Sequence, residues 1–470
     1  MRPAAPSALT VLIADVAVLG AGPAGLMAAW RSAAAGHRVV VLERAPEVGG
    51  LAASTEVAGQ RVDLGSHRLH PTTDPAVLGD LQRLLGGTLQ WRPRNGRLRL
   101  DGRWVRFPLS APDLVRSLPR GFAAAAARDA VAAPLRRPGD DSFADVVRVG
   151  LGPTMLDRFY GPYARKLWGL EPEELAGEQA RRRIAARSTG GLVGRVVRGS
   201  RARPGFWYPA RGFGAIVEAL AAAAVAAGVD LRLGCEVAGV DVRGEGATVA
   251  LADGTTVAAG RIWSTLPLPV LARLTRPAPP PEVSAAASRL TSRGMVLVYL
   301  ALAVDRWTPF DAHYLPGPEV VASRVSEPKR YRDGPDPAGR TVLCAEVPCT
   351  PGDRVWEASD EDLAAEVAVG LESVGLPAVR PVAVETRRLP AVYPVLRQGD
   401  VERLAAVRRW ADGLPELLSL GRGGLFAHDN THHVLSLARE AAACLGPGGT
   451  WDAGRWAAAR ARADAAVVED

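Results

Sequence analysis

Lysine is nearly missing from this chain: Lys166 and Lys329 are the only two, so almost all of its 57 basic side chains are arginine. The bias travels with many Ala, Gly and Pro residues and reads as compositional drift. No basic block is interleaved with aromatics, so the formal net charge of +7 lacks a nucleic-acid footprint and points instead to a small anionic partner. Cysteine is also sparse. Cys235, Cys344, Cys349 and Cys444 are scattered, matching neither a disulfide framework nor a paired zinc pattern, and read as reduced thiols of a cytoplasmic protein. No run of 18 apolar residues occurs, so no transmembrane segment is expected. The first ten residues are rich in Pro and Ala, and the apolar stretch after them contains Asp15, unlike a secretory signal. At 470 residues the chain exceeds one core, which predicts two domains; a homodimer is compatible with this length.

What the chain does have is glycine in a telling place. Val16–Leu19 is an apolar run of strand type, and Gly20, Gly22 and Gly25 follow it as G-x-G-x-x-G. The first glycine suits a tight turn, the second lets backbone approach a pyrophosphate, and the third lets a helix pack on the sheet. Pro23 and Ala24 open that helix, whose N–H groups and dipole favour phosphate. Val39–Leu42 reads as the next strand, and Glu43 ends it at the spacing of an acid that holds a ribose hydroxyl. The pattern predicts a dinucleotide site.

Arg44 to Ala52, with Gly49, Gly50 and Leu51, resembles the segment after the ribose acid in FAD-dependent amine oxidases, protoporphyrinogen oxidases, phytoene desaturases and UDP-galactopyranose mutases. The resemblance implies FAD as the cofactor. It also implies an α/β fold, with a Rossmann-type FAD-binding domain built from residues 1–75, 205–270 and 415–470. A substrate domain would then comprise residues 76–204, read as largely helical, and 271–414. Asp63 to His70 is similar to the mutases' segment beside the flavin ring, which makes Ser66 and His67 flavin neighbours; a plain loop histidine is the alternative. Val237 falls on the family's adenine-side strand. Gly421, Arg422, Asn430, Thr431 and His432 match the strand end and helix start that face the flavin, with Asn430 or Thr431 as cap. His428, His432 and His433 lie there too, and no metal is expected from them.

The substrate-side motifs look closest to the mutases. Lys166-Leu167-Trp168-Gly169 matches their cleft segment, where Trp168 and Lys166 would meet substrate; a Trp that merely closes a helix end is the alternative. Arg187 and Arg324 match arginines at a sugar-nucleotide diphosphate. The alternatives are a solvated helix face for Arg187 and a salt bridge from Arg324 to Glu327. Tyr393, in Ala391-Val392-Tyr393-Pro394-Val395, matches an aromatic over the flavin. His67, Arg324 and Tyr393 are thus the catalytic candidates. One departure stands out: Phe426-Ala427-His428-Asp429-Asn430 lacks the tyrosine pair that the mutases carry there. The resemblance implies a mutase-like enzyme acting on a nucleotide sugar or another anionic glycosyl compound through flavin N5. The competing readings are an oxidase or desaturase that removes hydride from a small molecule, and a flavin-binding protein without turnover.

Overall fold

The computed structural model describes residues 14–109, 111–137, 139, 141–183, 205–243 and 246–468. β1 (Ala14–Leu19) turns Val16 and Val18 to one side and Ala17 and Leu19 to the other, all four fully buried. A parallel strand covered on both faces needs that composition, and each such Val or Leu contributes about 1.5–3 kcal/mol over exposure. α1 (Pro23–Ala34) follows with proline in its first turn, where a missing N–H is harmless. β2 (Val39–Leu42) then returns parallel to β1.

The sheet runs Thr275–Arg276, Val237–Asp241, Ala247–Leu251, Thr256–Ser264, β1, β2, Asp230–Arg232. Thr256–Ser264 is one long strand. Its first half closes an antiparallel meander with Ala247–Leu251, and its end pairs in parallel with Leu417–Ser419. Gly260 lies in its middle, where an added Cβ would stand 3.0 Å from the Asp15 carbonyl oxygen. α1, Ala215–Ala226 and Thr431–Cys444 cover one face, while Leu268–Leu274 and Asp400–Asp412 cover the other. The residues of Ala215–Ala226 are apolar nearly all round its circumference, which predicts burial on every side, yet Glu218, Ala222, Val225 and Ala226 face solvent, because only one side of the helix packs on the sheet.

A second sheet runs Pro381–Val395, Thr291–Leu302, Thr341–Cys349, Arg324–Ser326, Ala312–Tyr314, Gly96–Leu100, Arg103–Phe107. Its last two strands, and Leu89–Pro93, come from the stretch read as largely helical. Alternation along Thr291–Leu302 sorts its two faces. Val296, Val298 and Leu300 meet the helix Asp360–Ser373. Met295, Leu297 and Tyr299 meet the hairpin Ser54–Val57/Gln60–Asp63, and the Tyr299 hydroxyl donates to the Asp63 carbonyl at 2.7 Å. That face brings the second sheet against the loops that leave the first. No helix of the described residues is long and apolar enough to cross a membrane.

Candidate functional site

The three glycines after β1 do three different things. Gly20 has φ +105°, and a Cβ on it would strike Thr265 Oγ1 at 2.2 Å. A Cβ on Gly25 would stand 2.0 Å from the Gly20 carbonyl oxygen, which fixes how closely α1 packs. A Cβ on Gly22 would meet nothing within 4 Å. The open side of the loop is therefore the one that faces the amino end of α1.

Several other residues predicted for the cofactor pack near this loop. Both Glu43 carboxylate oxygens accept backbone N–H groups, from Ala21 at 2.8 Å and Ala45 at 2.9 Å. The acid is thereby held against the glycine loop, with Arg44 exposed beside it. Gly49 N–H donates to the Ala21 carbonyl at 2.8 Å, and a Cβ on Gly50 would come within 3.6 Å of Gly22 Cα. The second glycine pair thus lies across the first, and half-buried Leu51 continues from it. Val237 starts its strand two residues after Cys235, whose N–H donates to the Glu43 carbonyl at 2.8 Å. From the far end of the chain, Gly421 packs so near α1 that a Cβ on it would lie 3.0 Å from Ala24 Cβ.

The helix Thr431–Cys444 lies along α1 and starts with a capping box between Asn430 and His433. His432, in its first turn, is buried and stacks on His70 with ring centres 5.2 Å apart. Burial and neighbouring His433 pull its pKa to about 3, so the ring is neutral, and its Nδ1 is buried without a hydrogen-bond partner. Open space at Gly22, a clamped ribose-type acid, two helix starts and an unsatisfied buried nitrogen together fit a bound dinucleotide. No group of three or more metal-ligating side chains forms among the described residues.

On the substrate side, Ser66 N–H donates to Glu346 Oε1 at 2.8 Å, and Ser66 Oγ shares a 2.6 Å hydrogen bond with the Tyr331 hydroxyl. His67 Nε2 lies 3.0 Å from the Leu64 carbonyl, to which it donates, and the ring stacks on Phe213 at 5.2 Å. Burial lowers its pKa, so His67 is a neutral, packed ring with Nε2 engaged on backbone. Arg324 pairs twice with Glu346, at 2.9 and 2.8 Å, directly across two paired strands. The sequence alternative, Glu327, instead accepts from Trp307 N–H at 3.0 Å and Thr341 Oγ1 at 2.9 Å.

Lys166 donates to three carbonyls, Leu315 at 2.6 Å, Val320 at 2.7 Å and Ala322 at 3.2 Å. All three ammonium protons are engaged in tying its helix to that loop, and burial pulls its pKa to about 7. Trp168 is 2 % exposed, packs edge-on to Phe143 and His428, and has a buried Nε1–H without an acceptor. Arg187 lies outside the described residues. Nearby Arg183 donates to the Tyr163 hydroxyl at 2.7 Å and stands 5.6 Å from the Tyr393 ring centre. Arg422 stands 4.8 Å from the same centre, and His428 stacks on it at 6.0 Å. Tyr393 is therefore where residues predicted for flavin and for substrate meet. His428 Nε2 donates to the Pro394 carbonyl at 2.7 Å, and burial with Arg183 and Arg422 holds its pKa well below the usual value.

Sequence reasoning missed Arg68, Arg94 and Tyr314. Arg68 donates to the hydroxyls of Tyr314 and Tyr331, both at 3.0 Å, and pairs with Asp311 at 3.1 Å. Arg94 donates to the Tyr314 hydroxyl at 3.2 Å. Arg68 sat inside the motif quoted for His67, but nothing in the sequence marked the other two.

Known proteins resemble this chain in sequence and in fold. The "Putative flavin-containing monoamine oxidase AofH" of Mycobacterium tuberculosis (strain ATCC 25618 / H37Rv) is 29% identical over 313 residues, 62% of this chain and 66% of that protein. The chain thus spans about two thirds of the length of that curated relative. Putrescine oxidase of Kocuria rosea is 47% identical over 62 residues, 13% of each chain. Crystalline reduced UDP-galactopyranose mutase shares the fold with a TM-score of 0.80 at 20% identity, over 97% of this chain and 100% of that one. A putative protoporphyrinogen oxidase from Exiguobacterium sp. 255-15 follows at 0.70 and 17% identity, over 90% and 96%. Residues 23–426 match the flavin containing amine oxidoreductase family. The chain belongs to that family, and its cofactor is FAD.

Proposed function

We propose that this flavoenzyme acts on an anionic small molecule, best matched by a nucleotide sugar rearranged in the manner of a UDP-galactopyranose mutase. The observation that carries the reading is the arginine pair at Tyr393. Arg183 and Arg422 stand 5.6 and 4.8 Å from one aromatic centre, and their field helps to keep His428 unprotonated. A protonated amine placed there would meet like charge, whereas phosphate or carboxylate would meet two guanidinium forks. FAD supplies, when bound, an N5 centre able to exchange hydride or act on carbon. In this reading Arg183 and Arg422 hold the anion, Tyr393 supplies a flat wall, and neutral His428 keeps that wall in place. Arg324, paired with Glu346, acts on the frame of the site.

The second reading, an amine-type oxidase, is favoured by the family and by the similarity to proteins named monoamine oxidase and putrescine oxidase. Purified FAD-loaded protein separates the two. Under nitrogen it would be given UDP-galactose, UDP-glucose or putrescine, with and without prior dithionite reduction. Product formed only after reduction, with no reductant consumed, supports the mutase. Bleaching of the yellow flavin by putrescine alone overturns the anionic reading in favour of the oxidase.

A further inference from the structure

Three arginines converge on Tyr314. Arg68 and Arg94 donate to its hydroxyl at 3.0 and 3.2 Å, and the Arg324 guanidinium stands 5.7 Å from its ring centre. Two of the three carry a counter-charge, Asp311 for Arg68 at 3.1 Å and Glu346 for Arg324 at 2.8 Å. Among the described residues no carboxylate comes within ion-pair distance of Arg94. Yet Arg94 is no loose surface side chain. It is half-buried, its guanidinium lies 4.7 Å over the Phe107 ring, and its Nε is buried without a hydrogen-bond partner. The turn that presents it is pinned, because neighbouring Asn95 donates through its backbone N–H to Asp311 at 2.8 Å and through its side chain to the Pro309 carbonyl at 2.8 Å.

A guanidinium that is partly desolvated, stacked and aimed, with no counter-charge of its own, is a preformed receptor for an oxyanion. We infer that Arg94 binds an oxyanion of the substrate, phosphate or carboxylate, and so selects for a ligand with a second anionic group. Arg94 shares Tyr314 with Arg324, whose guanidinium stands 5.7 Å from that ring, and a ligand anion here would be separate from one held at Tyr393. Two anionic points on one ligand suit a diphosphate or a dicarboxylate. The inference rests on the anionic-substrate reading above and adds a residue and a charge count to it.

Calorimetric titration of FAD-loaded wild type, Arg94→Gln and Arg94→Lys with UDP, uridine and citrate tests it. Arg94→Gln weakens UDP at least tenfold and leaves uridine unchanged; Arg94→Lys, which keeps charge without the fork, falls between. Citrate weakened tenfold while wild type ignores UDP also supports Arg94 as the receptor, and overturns the nucleotide-sugar reading alone. UDP or citrate bound by Arg94→Gln within twofold of wild type overturns the inference and leaves the anionic reading standing. Wild type that binds neither anion overturns both. If the variants lose FAD or melt early, hydrogen exchange of the wild-type turn at residues 93–97 decides. Slowing on addition of the bound anion supports the inference, and no change overturns it.

Discussion

At Gly22 the protein leaves open what it closes at Gly20 and Gly25. A side chain at Gly22 would clash with nothing of the protein itself, and its φ of −78° is one that any residue adopts. Gly22→Val is therefore expected to fold with an unchanged apo melting temperature yet to purify without FAD; flavin absorbance against protein measures this. Arg324 behaves in the opposite way. Arg324→Ala leaves Glu346, 5 % exposed, without its cation, which costs about 3–5 kcal/mol in urea denaturation. Adding Glu346→Gln recovers most of that loss. The glycine loop was legible in sequence because turn, phosphate approach and helix packing are local demands within six residues. Arg324 was legible as a residue of consequence, but its partner was not. Glu327 is the local choice, whereas strand pairing sets Glu346 opposite it. Sequence placed Lys166 at the substrate, and its three carbonyl partners could not be read there because they lie far along the chain.

Among elements, the helix Thr431–Cys444 depends on its start. The Asn430 side chain satisfies an N–H that the helix cannot, so Asn430→Ala is expected to cost about 1 kcal/mol in thermal unfolding and to loosen FAD with it. In sequence Asn430 and Thr431 were equal candidates for this cap, and the structure selects Asn430. The helix Gly161–Trp168 is held differently, by Lys166 reaching across to residues 315–322. Lys166→Met strands those carbonyls and is expected to cost about 1–3 kcal/mol by the same measurement. The short strand at Trp104–Phe107 was legible in sequence and pairs with its hairpin neighbour Gly96–Leu100, whereas the strands at residues 89–93 and 96–100 escaped because each has a distant partner. Gly96–Leu100 pairs with Ala312–Tyr314, and Leu89–Pro93 with Gly205–Pro209.

For the whole molecule, acid is the natural stress. His313 and His432 are both drawn by burial to about 3 from an ordinary 6.5. The unfolded chain takes up those protons near pH 6.5, while the folded chain refuses them until about 3. The stability these rings contribute is thus complete above about 6.5 and is lost as pH falls through that window. Urea denaturation from pH 7 to 4 is expected to show it, and His313→Gln to flatten the slope by about one proton.

The strand order carries one more consequence. The end of Thr256–Ser264 gains its outer neighbour only when Leu417–Ser419 arrives. A nascent chain leaving the ribosome therefore carries an open sheet edge for most of its synthesis, and such an edge recruits other chains. Slow translation in a chaperone-rich host should therefore raise the yield of active protein.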